Sequence, residues 1–279
     1  MKVPYSINVN GRLLTFERPL VMGIVNVTPD SFYGGSRVES GELLDRCRCM
    51  LASGADIIDI GACSTRPGSE PVCEEEELRR LHAAFNLLDR ELPDAIFSVD
   101  TFRANVAREC VKEHSVAIIN DVSGLDGDTA MLETVAELNV PYVLTHSKGV
   151  AGDTPHYDDF IPEVFKQLAD KMWSLRQCGV KDIIVDPGFG FGKSLEQNFT
   201  MLDILEEFSM FDAPLLVGVS RKSMITKTIG VTPSEALNGT SVLNTIALMK
   251  GAHILRVHDV KAAAEAVTLV TQLKNKQFK

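Results

Sequence analysis

The chain lacks a CxxC pair. Its six cysteines, Cys47, Cys49, Cys63, Cys73, Cys110 and Cys178, are scattered through 279 residues. That usage fits reduced intracellular thiols and excludes the disulfide framework of a small secreted domain. Cys63 and Cys73 bracket one loop, but a zinc site needs further His or Cys at ligand spacing, and none follows there. No apolar run reaches the length of a membrane span. The first residues have neither the charged start nor the apolar stretch and small-residue cleavage site of a signal peptide. The expectation is a cytoplasmic protein with no membrane partner. Basic residues are also in deficit: 28 Lys and Arg stand against 38 Asp and Glu, a formal net charge of −10. That balance argues against a nucleic-acid partner held by a basic surface.

What the chain does contain is eight short apolar runs, almost all ending in a residue that binds or reacts. Val21–Val25 runs into Asn26, Ile57-Ile58 into Asp59, and Ile96–Val99 into Asp100. Ile118-Ile119 runs into Asn120-Asp121, Val143-Leu144 into Thr145-His146, and Ile183–Val185 into Asp186. Leu215–Val219 runs into Ser220-Arg221-Lys222, and Ile254-Leu255 into Arg256 and His258. Short, continuously apolar strands are expected where both faces of a parallel sheet are covered. Between them, Leu44, Cys47 and Leu51 fall on one helical stripe, as do Leu195, Phe199, Leu202 and Leu205, with Ser194 placed to cap the second helix. Strand and helix alternate about eight times at the spacing of a βα unit. A doubly wound sheet would gather its polar strand ends at one switch point. Eight units in this length favour a (β/α)8 TIM barrel, whose active site lies at the C-terminal ends of the strands. Residues 1–18 differ. Asn10-Gly11 between two apolar strands is a type I′ hairpin signal, so the division expected is an N-terminal β-hairpin, 1–18, that covers the barrel bottom, and a barrel, 19–279.

At the expected mouth, Asp59, Asp100, Asn120 and Asp186 end four strands. Such a group can bind a metal, exchange protons or hold a heterocycle rich in N–H donors. Asp100 could instead cap the helix that follows. Arg66, Lys193, Arg221, Lys222, Arg256 and His258 supply positive charge at the same face, and loops after the seventh and eighth strands of this fold often hold phosphate. Asn26–Phe32 carries oxygen ligands for a hard cation, or forms a turn with Asx-type bonds. Asp186–Lys193 is glycine-rich, which permits close approach to a flat ligand, with Phe189 either stacking on it or packing in the core.

The segments Met22–Phe32, Asp59 with Ser64–Gly68, Ser98–Thr101, Ile119–Gly124, Asp186–Lys193, Val217–Lys222 and Arg256–Val260 resemble, in order, the dihydropteroate synthase family of pterin-binding barrels. The resemblance, to a family that is the target of sulfonamides, implies condensation of 6-hydroxymethyl-7,8-dihydropterin pyrophosphate with para-aminobenzoate, a Mg²⁺ requirement and a homodimer. It implies a pterin pocket of Asp100, Asn120, Asp186, Phe189 and Lys222, with Asp59 deeper beside it. Pyrophosphate falls to Asn26, Ser64, Thr65, Arg66, Arg256 and His258, and Mg²⁺ to Asn26. Phe32, Thr65, Pro67, Ser220 and Lys222 meet para-aminobenzoate. Asn26, Asp100, Lys222, Arg256 and His258 carry the catalysis. The chain departs from the family's common pattern at Ala62-Cys63, at Tyr33–Ser36, around Thr145–Ser147 and around Leu237–Thr240. The competing readings are a methyltetrahydrofolate:corrinoid methyltransferase, which needs no pyrophosphate site, and a non-catalytic pterin-binding module.

Overall fold

A computed structural model describes residues 4–27, 37–63, 72–148 and 159–276. Two antiparallel strands come first, β1 (Ser6–Val9) and β2 (Arg12–Thr15). Asn10 and Gly11 both have positive φ, 51° and 80°, which is the type I′ turn expected of an Asn-Gly pair. Eight parallel strands follow: β3 (Leu20–Asn26), β4 (Ile57–Gly61), β5 (Phe97–Asp100), β6 (Val116–Asp121), β7 (Tyr142–Thr145), β8 (Ile183–Asp186), β9 (Leu216–Val217) and β10 (Ile254–Val257). Their spatial order is β8-β7-β6-β5-β4-β3-β10-β9. A parallel bridge between Val185 and Leu215 joins the two ends, with Val185 N–H donating to the Pro214 carbonyl at 2.9 Å. The wall is therefore the TIM barrel expected.

Helices lie between the strands: α1 (Arg37–Ala52), α2 (Glu74–Glu91), α3 (Ala104–Glu113), α4 (Met131–Leu138), α5 (Phe160–Gln177), α6 (Leu195–Asp203), α7 (Ser223–Ile229), α8 (Leu237–Met249) and α9 (Val260–Lys276). Among the described residues no helix is long and apolar enough to cross a membrane. The stripe read from Leu44 and Cys47 is buried. The stripe starting at Leu195 is only partly so. Ser194 caps α6 in a reciprocal capping box with Gln197, which leaves Leu195 in the first turn, exposed. Leu205 lies past the helix in a 3₁₀ segment.

The pleat explains how the strands build a site. Side chains two residues apart share a face. Met22, Ile57, Ile118, Val143, Ile184, Leu216 and Ile254 face inward and form an apolar floor, sealed from below by Ile7, Val9 and Phe16 of the hairpin. Two residues further along stand Asp59, Asn120, Thr145, Asp186 and Arg256. A dry floor thus carries a polar storey at once above it. The alternate strand residues face outward and pack with the helices in a second, larger core.

Candidate active site at the barrel mouth

Arg256 organises one side of the mouth. Its Nε donates to Asp59 Oδ2 at 2.7 Å, and one terminal nitrogen is 2.6 Å from the same oxygen and also binds Asp100 Oδ2. Burial works against the guanidinium charge, but Asp59 and Asp100 outweigh it and hold Arg256 protonated. Asn120 Nδ2 donates to Asp59 Oδ2 at 3.0 Å. Among the described residues Asp59 Oδ1 is buried without a hydrogen-bond partner. Burial, together with the Asp59 charge, pushes the Asp100 carboxyl up to about 7 against the pull of Arg256. Asp100 does not cap the next helix. The N–H of Ala104, at the start of α3, goes to Asp128 Oδ2 at 2.8 Å.

The other side is built by the loop after β8. Asp186 Oδ1 accepts from Gly188 N–H at 2.7 Å, and burial raises its carboxyl, opposed chiefly by Lys222. Gly188 has φ +71°, and a Cβ there would lie 1.9 Å from the His146 carbonyl, so only glycine lets the loop lie this close to the end of β7. Lys222, the residue before α7, donates to the Phe189 carbonyl, and its ammonium sits 4.5 Å from the centre of the Phe191 ring. A cation at a helix start opposes the helix dipole; here the carbonyl, the ring and Asp186 compensate. Burial pushes the Lys222 ammonium down to about 8, with Asp186 pulling the other way. Lys193 donates to the carbonyls of His146 (3.0 Å), Gly188 (2.8 Å) and Phe191 (3.0 Å), and burial pushes it down to about 7.

Ser220 and His258 meet at the ends of adjacent strands. Ser220 Oγ and His258 Nδ1 are 3.1 Å apart, and the His258 backbone N–H donates to the same hydroxyl at 3.2 Å. Asn26, the last residue of β3, is half-buried. Ser64, Thr65, Arg66, Pro67 and Phe32, expected at pyrophosphate and para-aminobenzoate, lie outside the described residues.

Two sequence readings need correction. The Phe189 ring is fully buried in the core beneath the helices, so its side chain is withdrawn from the mouth, and its carbonyl is what meets Lys222. The half-buried aromatic beside that lysine is Phe191, which spacing alone did not separate from Phe189. Arg221 also turns away from the mouth. It pairs with Asp259 at 2.6 and 2.8 Å and donates to the Pro233 carbonyl.

A further polar cluster lies where the segment between β4 and α2 begins and ends. Glu77 is buried, accepts from Thr101 Oγ1 at 2.7 Å and pairs with Arg103. Arg103 also reaches the Val72 carbonyl at 2.7 Å and Cys63 Sγ at 3.6 Å. Burial and the Glu77 charge push the Cys63 thiol up to about 12. Nothing in the sequence separates Glu77 from the solvated glutamates that precede it.

The sequence pattern of the pterin binding enzymes matches residues 22–258. The chain is 42% identical over 266 residues to a dihydropteroate synthase of Escherichia coli (strain K12), which covers 93% of each protein. The fold is similar to that of Xanthomonas albilineans dihydropteroate synthase with 4-aminobenzoic acid (38% identity, TM-score 0.88, 97% of this chain and 98% of that one). It is also similar to the same organism's enzyme in complex with 7,8-dihydropteroate (34% identity, TM-score 0.84, 96% and 98%). With the matched segment running from β3 to the end of β10 and these relatives covered almost end to end, the chain belongs to the dihydropteroate synthase family of pterin-binding enzymes.

Proposed function

We propose that this chain is a dihydropteroate synthase, joining the exocyclic carbon of 6-hydroxymethyl-7,8-dihydropterin pyrophosphate to the amino nitrogen of para-aminobenzoate. The observation that carries the reading is the buried Asp59 Oδ1, which lacks a donor among the described residues, in one mouth with Asp100, Asn120 and Asp186 and with the cations Arg256 and Lys222. Buried acceptors without donors suit a ring that brings several N–H groups. Relatives solved with 4-aminobenzoic acid and with 7,8-dihydropteroate support both substrates.

Asp100, Asn120, Asp186 and Lys222 hold the pterin, with Asp59 beneath it. The bond from the exocyclic carbon to the pyrophosphate oxygen breaks, its electron pair leaves with pyrophosphate, and the electron-rich ring and nearby carboxylates stabilise the cation. The neutral arylamine attacks and then loses a proton, so a strong general base is not required. Arg256 binds the two carboxylates through Nε and one terminal nitrogen, which leaves its other terminal nitrogen for the departing anion. His258, Ser64, Thr65 and Arg66 join it there. Ser220 and Lys222, with Phe32, Thr65 and Pro67, receive para-aminobenzoate.

Mg²⁺ fits Asn26. Among the described residues no group of three or more His, Cys, Asp or Glu can cage a metal, whereas Mg²⁺ takes one or two protein oxygens and fills its shell with phosphate oxygens and water. The Asn26 amide oxygen, at a strand end beside Gly61, is a donor of that kind. Bound there, Mg²⁺ offsets negative charge on pyrophosphate.

The enzyme works in the cytoplasm as a homodimer. Support for the dimer comes from α7, α8 and α9, whose outer sides leave Ile229, Leu237, Val242, Ile246, Met249, Leu269 and Leu273 exposed. Large apolar side chains left exposed on neighbouring helices suit an interface, and a second copy of the chain is self-complementary across a two-fold axis. Sedimentation of Val242→Glu and Ile246→Glu should show monomer where the unmodified protein shows dimer. A dimer that survives both changes is built elsewhere.

Turnover decides the function. Purified protein with both substrates and Mg²⁺ should yield 7,8-dihydropteroate, and chelation should abolish the yield. Pterin binding without product would leave a binding module, and methyl transfer to a corrinoid would identify the other enzyme.

A further inference from the structure

Two lysines grip the loop between β8 and α6, and they differ in what they have left to give. An ammonium has three N–H donors. Lys193 spends all three on main-chain carbonyls, those of Gly188 and Phe191 within the loop and that of His146 at the end of β7, at 2.8–3.0 Å. It is 8% exposed, so no donor remains for a ligand. Lys222 spends one donor on the Phe189 carbonyl and faces the Phe191 ring, which leaves it free to meet a substrate. The two cations therefore take carbonyls 188, 189 and 191 of one short loop.

Other groups in the loop point to the same framework. Gly190 N–H donates to Asn198 Oδ1 at 2.7 Å, and Asn198 Nδ2 returns to the Ser194 carbonyl at 2.7 Å. Asp186, at the start of the loop, is held by the N–H of Gly188, the residue whose carbonyl Lys193 grips. Among the charged side chains, Asp186 and Lys222 act on Lys193 from the loop and from α7.

We propose that Lys193 is a positioning residue for the dihydropterin, an internal cation that ties the loop after β8 to the end of β7 and so fixes the carboxylate of Asp186. The proposal rests on the dihydropteroate synthase reading for its substrate, and on geometry alone for its effect on the loop. Without the ammonium, the His146 and Phe191 carbonyls lose the donor they share, Gly188 keeps only the turn bond from Phe191 N–H at 3.1 Å, and the loop must open to water to satisfy them. Asp186 then loses its fixed place, while Ser220, His258 and Asn26, on other strands, keep theirs.

The test uses Lys193→Met, which keeps length and removes all donors, and Lys193→Gln, which restores two neutral donors. In Lys193→Met the KM for dihydropterin pyrophosphate should rise about tenfold or more, with kcat and the KM for para-aminobenzoate within about threefold of the unmodified enzyme. Lys193→Gln should recover most of the loss. Without ligand, amide exchange in residues 188–192 should be about tenfold faster in Lys193→Met, with exchange in β4 unchanged. A pterin KM within about twofold of the unmodified enzyme in a folded variant would overturn the proposal, as would a fall in kcat at unchanged KM. Should Lys193→Met fail to fold, Lys193→Gln is read alone: unchanged pterin KM and unchanged loop exchange overturn the proposal. Absence of turnover in the unmodified protein sinks the functional reading, and the exchange measurement then decides the role of Lys193 by itself.

Discussion

Arg256 reaches past β3 to bind Asp59, Nε to Oδ2 at 2.7 Å, from one neighbour of that strand to the other. The same guanidinium also binds Asp100. Arg256→Met would leave two carboxylates buried side by side without a counter-charge. Removing one member of a buried pair costs about 3–5 kcal/mol, so urea unfolding at neutral pH should show a loss of that size. The deficit should shrink in acid, where the carboxylates take up protons. A midpoint equal to that of the unmodified protein would mean that the pair contributes nothing.

Asp186→Asn replaces one acceptor oxygen with a donor. If Asp186 accepts pterin N–H bonds, calorimetric titration with a pterin analogue should show a loss of about 2–4 kcal/mol in binding. Unchanged affinity in a folded variant would remove Asp186 from the pocket.

His146 sets a pH dependence of stability. Burial pushes its imidazole from 6.5 down to about 2, with the Lys193 and Lys171 charges acting in the same direction. Below pH 6.5 the unfolded chain takes up a proton that the folded chain refuses. The contribution is thus fully present above pH 6.5 and is lost as pH falls toward 2, at a limiting slope of about 1.4 kcal/mol per pH unit. Unfolding free energies at pH 7 and pH 5 should converge in His146→Gln compared with the unmodified protein. An equal pH 7-to-5 difference in both proteins would remove His146 as the source.

Gly11 tests the hairpin. Its φ is +80°, and an added Cβ meets nothing within 4 Å. Gly11→Ala therefore carries only the conformational cost of a left-handed residue, about 1–2 kcal/mol. A thermal midpoint unmoved by the change would show that the hairpin seals the floor without contributing to global stability.

The strand ends were legible because a buried parallel strand is a short apolar run and its polar terminus interrupts that run. Asp59, Asn120, Asp186 and Arg256 all stand out in this way, and Asn10-Gly11 announces its turn. Facing was harder to read. Asn120 and Asp121 look alike in sequence, yet Asn120 binds Asp59 inside the barrel, while Asp121 serves Tyr142, Ser123 and Leu125. Phe189 and Phe191 are two residues apart in a loop that has no pleat to place them. Lys193 and Lys222 share a residue type, and their difference depends on a His146 carbonyl brought in from another strand. Glu77 looks like one of four helix-start glutamates, Glu74 to Glu77, and only the fold brings Arg103 to it.

The wall of the barrel is unevenly laced. Every other neighbouring pair of strands in the sheet shares at least two residue pairs, whereas β8 meets the segment before β9 through the single Val185–Leu215 bridge. Parting the cylinder costs the fewest ladder bonds at that line. Asp186 stands at the end of one bank, and Ser220 and Lys222 follow the other. On the proposed function, Asp186 at the pterin and Ser220 at the arylamine therefore stand on opposite lips of one seam. Spreading of the lips would widen the exit for a product that spans both without disturbing Asp59, Asp100 or Arg256. The Val185 amide should then exchange with solvent sooner than that of Ile60, and the reverse order would place the barrel's breathing elsewhere.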